Sequence, residues 1–378
     1  MPSLKSIIPT DPKIISLTAL IGIAGGLVFD FLNFPLAWML GAMVATTVAA
    51  ISGITIRGPG VLRNIMITVL GTMLGSTFTP EVLGHFDKWI GSLGVLSLYI
   101  ITIVICTGIY LYRVIGYGAI TSYFSAAPGG FGFMVIMGGE MGGNSRTIAL
   151  IHSIRIMLTV LTIPFWFKFF NDYHPASAPG LGDLVDVSLY DGALLILCAI
   201  SGYYLGKLIR LPSPQLLGPL LVSAAVHLSG FTEAKPPTEV MNLAQLIIGI
   251  SVGARFNGIR LTEVLATIKV GAILAFYMVG LAAVFALVME ELTGLPFDAM
   301  LLAFAPGGLA EMAMVSLAMG IDTAFVSTHH MVRVLIMVSM APIIFALIKK
   351  KFDITDDLPA LKFRQTPTET DVHRPPQG

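Results

Sequence analysis

Apolar residues run along the chain in long blocks, interrupted by Pro, Gly and charge. Blocks of about 16 or more apolar residues are long enough to approach the thickness of a bilayer as helix. The pattern predicts twelve such segments, at 14–30, 36–54, 64–81, 89–112, 119–141, 147–170, 190–209, 214–231, 240–258, 265–289, 297–320 and 324–348. Between the sixth and seventh lies a polar stretch rich in Pro, Gly and Asp. A charged, Pro-rich stretch follows the twelfth. The organisation expected is a membrane repeat over 14–170, a polar linker over 171–189, a second membrane repeat over 190–351 and a disordered tail over 352–378.

Composition agrees with a lipid-facing chain. Of the 378 residues 55% are apolar and 12% are charged, where soluble domains carry about 25% charged residues. The 22 basic and 22 acidic residues cancel, so there is no clustered basic excess for direct nucleic-acid binding. The two cysteines, Cys106 and Cys198, lie inside apolar blocks without metal-ligand or disulfide spacing. No metal site and no cofactor is expected. The first block follows Lys5 and Lys13 and ends at Asp30 without a small-residue cleavage site, so it reads as a retained span.

The two groups of six segments repeat one another. Ala127-Pro128-Gly129-Gly130 recurs as Ala305-Pro306-Gly307-Gly308, a shift of 306 − 128 = 178 residues. At the same shift His152 meets His330, Arg155 meets Arg333 and Pro164 meets Pro342. Gly71-x-x-x-Gly75-x-x-Phe78 meets Gly249-x-x-x-Gly253-x-x-Phe256, and Leu40-Gly41 meets Leu217-Gly218 one residue out of step. This many matches at one offset mark an internal duplication.

Loop charge orients the halves, because Lys and Arg beside spans stay cytoplasmic. Twelve full crossings would put Lys207, Arg210, Arg260 and Lys269 outside. If the fifth and eleventh segments enter and leave by one face, the basic residues group inside except for Lys88, Lys168 and Lys235. Each half then has five crossings, and the second is inverted. The fifth and eleventh segments also carry Ala-Pro-Gly-Gly, which breaks a helix. Broken backbone at membrane depth persists only within protein or beside an aqueous cavity, and paired breaks point to a transporter's substrate site. The alternatives are proline kinks with a packing role, and full crossings that are broken rather than hairpins.

Ionisable residues inside spans are costly and usually functional. His152 and Arg155 share a helix face, as do His330 and Arg333. Both arginines lie about 12–14 Å into their segments, so in an inverted pair both approach the midplane and call for anions. The substrate-binding set is therefore Arg155, Arg333, His152 and His330, with the half-helix starts at Gly129, Gly130, Gly307 and Gly308. Glu311 is the expected coupling carboxylate, and its repeat partner is Phe133. The competing reading makes Glu311–Arg333 or Glu140–Arg155 structural ion pairs. Asn144 and Asp322 are candidate helix caps, and His329 reads as a packed histidine.

These residues carry a resemblance. Ser125 to Gly130, Ala305 to Met312, His330-x-x-Arg333 and Trp38-Met39-Leu40-Gly41 resemble the duplicated AbrB-type membrane protein family of Gram-negative bacteria, over about residues 14 to 348. Labels within that family name a transcriptional regulator and an ammonia monooxygenase. The resemblance implies a bacterial inner-membrane protein with a role in gene expression, and brings no catalytic residues.

The fold expected is an all-α polytopic membrane protein of two inverted repeats. The leading function is secondary transport of a small anionic solute, driven by an ion gradient because no G-x-x-x-x-G-K-[ST] motif is present. The protein would be multi-pass in the inner membrane, with both termini cytoplasmic, and no enzyme. The alternatives are a membrane sensor acting indirectly on gene expression and, last, a metal-dependent oxidase. Partners would be the solute and the lipid bilayer, and small-residue faces such as Gly71-x-x-x-Gly75 leave room for a homodimer.

Overall fold

The computed structural model describes residues 12–84, 86–170, 188–351, 354, 355 and 357, and all regular elements among them are helical. Repeat 1 contains α1 (Pro12–Phe31), α2 (Ala37–Ile51), α3 (Gly60–Gly75), α4 (Phe86–Ile109), α5 (Ala119–Ala126), α6 (Phe131–Glu140) and α7 (Ser145–Phe170). Repeat 2 contains α8 (Leu189–Leu208), α9 (Pro214–Leu228), α10 (Thr238–Gly253), α11 (Leu261–Thr293), α12 (Phe297–Phe304), α13 (Leu309–Ala318) and α14 (Thr323–Lys351). A single turn, Pro80–Leu83, precedes α4, and a π-helical turn, Tyr110–Ile115, extends it. Helices α1, α4, α7, α8, α11 and α14 are long and apolar enough to cross a membrane. Their flanks carry exposed Leu, Ile, Val and Phe side chains, as a surface solvated by lipid requires.

The interrupted segments are hairpins. Helices α5 and α12 have 8 residues each, and α6 and α13 have 10, about 12–15 Å of helix against a ~30 Å hydrocarbon core. In repeat 1 the two ends meet: the Asn144 N–H donates to Thr121 Oγ1 at 2.9 Å. Asp357 also joins them, accepting from the N–H groups of Ile120 and Thr121 (3.2 and 2.6 Å) while its own N–H donates to Gly142. In repeat 2, His330 and Arg333 in α14 bond Leu302 and Ala305 around the end of α12. Later residues in α14 meet later residues in α12, so the two run parallel from one face, and α13 returns to that face. Asn144 and Asp322 cap α7 and α14 as expected, accepting from Thr147 and Phe325 N–H groups, each at 3.0 Å.

Residues 171–187 of the expected 171–189 linker and most of the 352–378 tail lie outside the described residues, while Ser188 caps α8 and Leu189 begins it. Asp357 departs from the expectation of a free tail, because its carboxylate supplies the start of α5 with acceptors for N–H groups that have no partner inside the helix.

Two bundles result. The first three helices of each repeat pack together (α1, α2, α3, α8, α9, α10), and α4 to α7 pack with α11 to α14. Glycine sets the first bundle's spacing. Gly25 of α1 lies against Gly41 of α2, and Gly202 of α8 against Gly218 of α9, each face closed to any Cβ. Between repeats the contacts are exchanged. Gly71 and Gly75 of α3 lie on Leu216 and Leu220 of α9, while Gly249 and Gly253 of α10 lie on Met39 and Met43 of α2. Rising numbers meet rising numbers, so α10 runs parallel to α2 and α3 parallel to α9. With successive helices alternating, the third helix of each repeat points along the second helix of the other, and repeat 2 is inverted.

The Gly71-x-x-x-Gly75 face is thus buried between repeats, not offered to a second molecule. The duplication also extends to backbone strain. Asn33 and Leu36 before α2 have φ of 53° and 49°, and Arg210 and Ser213 before α9 have 57° and 56°.

Because a side chain at Gly71 or Gly249 would meet a backbone carbonyl, Gly71→Val and Gly249→Val should each destabilise the protein by about 1–3 kcal/mol or more. Gly91→Ala, where nothing lies within 4 Å, should be near neutral. Melting of the detergent-purified proteins, followed by loss of the monodisperse peak, checks both.

Candidate functional site

The chain breaks after α5 and α12 leave helix-end carbonyls without intrahelical partners. At membrane depth these must be satisfied by protein. His152, on α7, donates from Nε2 to the Phe124 carbonyl at 2.9 Å, and His330, on α14, donates from Nε2 to the Leu302 carbonyl at 2.8 Å. The carbonyl demands the proton at Nε2, which leaves Nδ1 as an acceptor. Arg155 Nη2 donates to Nδ1 of His152 at 2.9 Å, and Arg333 Nη2 to Nδ1 of His330 at 2.8 Å. Both histidines are fully buried. They stand behind the arginines and hold them, and neither lines the cavity described below.

Beyond this shared unit the repeats differ. Arg333 also donates from Nη1 to the Ala305 carbonyl at 2.6 Å and from Nη2 to the Gly307 carbonyl at 2.8 Å. It closes the second break. Arg155 makes neither equivalent bond, and its Nε and Nη1 have no hydrogen-bond partner although the residue is 2% exposed. The two guanidiniums lie within electrostatic reach of each other. Among the described residues, no carboxylate lies within 4.0 Å of either one, and neither Glu311–Arg333 nor Glu140–Arg155 forms an ion pair.

Glu311 is committed elsewhere. It sits in the first turn of α13 and folds back over Gly308, where its carboxylate fills the space a Cβ would take. One oxygen lies 3.5 Å from Arg255 Nη2. The Arg255 guanidinium rests on the ring of Phe131, 4.5 Å from the centroid. Phe131 opens α6, so this contact joins the two hairpin tips through a cation–π interaction.

The tips and the first bundle enclose a cavity of ≈840 Å³. Gly129, Gly130, Gly307, Gly308, Arg155, Arg333 and Glu311 all line it. Arg63, Arg210 and Arg255 line it as well, with Ser213 and Gln215 beside them. Arg63 lies in the first turn of α3, Arg210 in the turn just after α8 and Arg255 just after α10, so all three stand at the face where α1 begins. The cavity therefore runs from the tips toward that face. Nearer the other face α4 and α14 pack together: Trp89 lies edge-on to Phe325 at 5.5 Å, and Ser92 Oγ is 2.8 Å from His329 Nε2. His329 is the packed histidine expected.

Five arginines and one acid face the cavity. Arg63, Arg210 and Arg255 were missed from the sequence. Arg255 carried a signal, since it lies within the apolar segment 240–258 beside Gly253, but it breaks the repeat by facing Thr77 at the 178-residue shift. Arg63 and Arg210 read as ordinary span-end residues, and only tertiary packing turns them inward. Among the described residues, no three His, Cys, Asp or Glu side chains cluster to hold a metal ion.

Comparison with known proteins gives a coherent result. A family model described as "Transition state regulatory protein AbrB" matches residues 38–349. "Uncharacterized protein YhjN" of Bacillus subtilis (strain 168) is 26% identical over 351 residues, covering 87% of this chain and 91% of that protein. "Putative regulator AbrB" of Escherichia coli (strain K12) is 24% identical over 318 residues, covering 84% of this chain and 91% of that protein. The similarity extends to a Gram-positive bacterium, beyond the Gram-negative range the motifs suggest.

The unequal bonding of the two arginines has an energetic consequence. Arg333→Ala strips the Ala305 and Gly307 carbonyls of their charged donor, at about 1.5–3 kcal/mol per bond. Arg155→Ala loses only the bond to His152. Thermal unfolding of the purified variants should place Arg333→Ala well below Arg155→Ala, and equal midpoints would refute the asymmetry.

Proposed function

The chain belongs to the AbrB family, and from its site we propose that this multi-pass membrane protein is a secondary transporter of a small anionic solute. One observation carries the reading. Two guanidiniums face a cavity between the hairpin tips with no carboxylate beside them, and charge held at membrane depth needs a counter-charge. A solute anion supplies it. Inverted repeats whose interrupted segments meet around a cavity also match the general build of secondary transporters, a likeness of architecture that supports the reading without carrying it.

In this reading the basic face of the cavity is cytoplasmic, the protein resides in the bacterial inner membrane and both termini are cytoplasmic, following the placement of Lys and Arg beside spans. Arg155 and Arg333 meet the solute, and the backbone N–H groups beginning α6 and α13 contribute positive helix ends. Glu311 couples transport to a cation gradient: a proton on its carboxylate releases Arg255 to the cavity. The gradient supplies the energy, since no phosphate-binding glycine loop is present.

The family description, and the printed name of the Escherichia coli relative, favour a second reading, a membrane sensor whose ligand-bound form alters gene expression through a partner. The two readings share the anion site and part at translocation. Proteoliposomes loaded with unlabelled carboxylates or phosphate should show counterflow of the labelled anion. Glu311→Gln should keep that exchange and lose its acceleration by an imposed pH gradient. Anion-dependent thermal stabilisation without counterflow would instead support the sensor, because a ligand that prefers the folded state raises the melting point whether or not it crosses.

A further inference from the structure

The duplication allows the two hairpin tips to be compared residue by residue. Gly130 and Gly308 are equivalent at the 178-residue shift, and each immediately precedes a half-helix of 10 residues, α6 or α13. Such a helix start presents unpaired N–H groups and a positive dipole end. Over Gly308 that position is filled by the Glu311 carboxylate. Over Gly130 no side chain or backbone beyond its chain neighbours lies within 4 Å of where a Cβ would stand, and the residue lines the cavity. The residue equivalent to Glu311 is Phe133, which has no charge to offer.

The arginines divide in the complementary sense. Beside the tip filled by Glu311, Arg333 is bound to two carbonyls of its own break. Beside the open tip, Arg155 is 2% exposed, lines the cavity and keeps Nε and Nη1 unpartnered. Each helix start thus faces an anion seat, and the two seats differ in what fills them.

We infer that the solute's anionic group seats on repeat 1, at the start of α6 against Gly130 and Arg155, and that Glu311 is a tethered carboxylate filling the twin seat on repeat 2. This rests on the anion-binding part of the proposed function and goes on to assign the subsite and a specificity-determining residue. With one seat taken internally, the protein accepts one carboxylate-sized charge. A second charge on the same solute would meet Glu311 where it would otherwise meet Arg255. Arg333 faces the same cavity and also fixes the second tip through the Ala305 and Gly307 carbonyls, so that the Glu311 carboxylate stays in place.

The test uses the full-length protein in detergent, with acetate and succinate at matched ionic strength as probes, and reads affinity from the rise in melting midpoint with probe concentration. Wild type should bind acetate at least as well as succinate. Arg155→Gln should remain folded and lose at least tenfold in affinity for both. Glu311→Ala, which empties the second seat and frees Arg255, should gain at least tenfold for succinate and little for acetate. Unchanged acetate affinity in Arg155→Gln, an unchanged succinate-to-acetate ratio in Glu311→Ala, or no binding by wild type would each overturn the assignment. Because the readout is binding, a failure of transport alone shows as intact binding with this pattern and no counterflow, and so stays separate from a failure of the seat.

Discussion

Carbonyl groups at the two chain breaks set the terms for everything around them. Where α5 and α12 stop inside the protein, lipid offers no hydrogen bond. The protein answers with a histidine on the following long helix, fixed as the tautomer that donates from Nε2. That choice makes Nδ1 an acceptor and brings an arginine to it one turn later. The arginines are thus a consequence of the breaks as much as a feature of the cavity. A guanidinium with five donors can serve backbone and still present charge, which no lysine could do with the same geometry.

Evolution from one repeat has left this unit intact in both halves while the surroundings diverged. In repeat 2 the arginine saturates its own break and a glutamate lies over the helix start. In repeat 1 the arginine is held only by its histidine, and a phenylalanine stands where the glutamate would be. The near face shows the same divergence: Arg63, Arg210 and Arg255 correspond to Met241, Asn33 and Thr77. Charge has accumulated on one side of a pseudo-symmetric scaffold. A uniform pattern would have left the two ends of the path electrostatically alike.

Much of the fold was legible in the sequence because the repeat supplied an internal control. Matching Pro, Gly, His and Arg at one offset located both hairpins, and loop charge favoured an entry and exit by one face, which Asn144, Thr121 and Asp357 bear out in geometry for the first. The caps Asn144 and Asp322 were legible from position alone. The divergence between the arginines was not, since Arg155 and Arg333 occupy equivalent positions three residues after a histidine and differ in which carbonyls lie within reach. Arg255 has Thr77 as its repeat counterpart, so the duplication does not mark it. The histidines drew attention for their burial, but their place behind the arginines depends on α5 and α12, distant in sequence. The Gly71-x-x-x-Gly75 face was visible as a packing surface, and sequence could not tell an internal neighbour from a second chain.

That exchange of glycine faces bears on how the chain is made. The groove on α3 is shaped for α9, and the groove on α10 for α2, so neither half holds its own complement. A ribosome that has delivered α1 to α7 has produced a half with an unfilled seam, which closes only once α9 and α10 have been inserted. Until then the first half stands as a partly assembled intermediate, its glycine face without the helix it is shaped for. For a single-repeat ancestor the same seam would have been met by another copy inserted upside down, so gene fusion here replaced a requirement for dual insertion with a fixed order of synthesis.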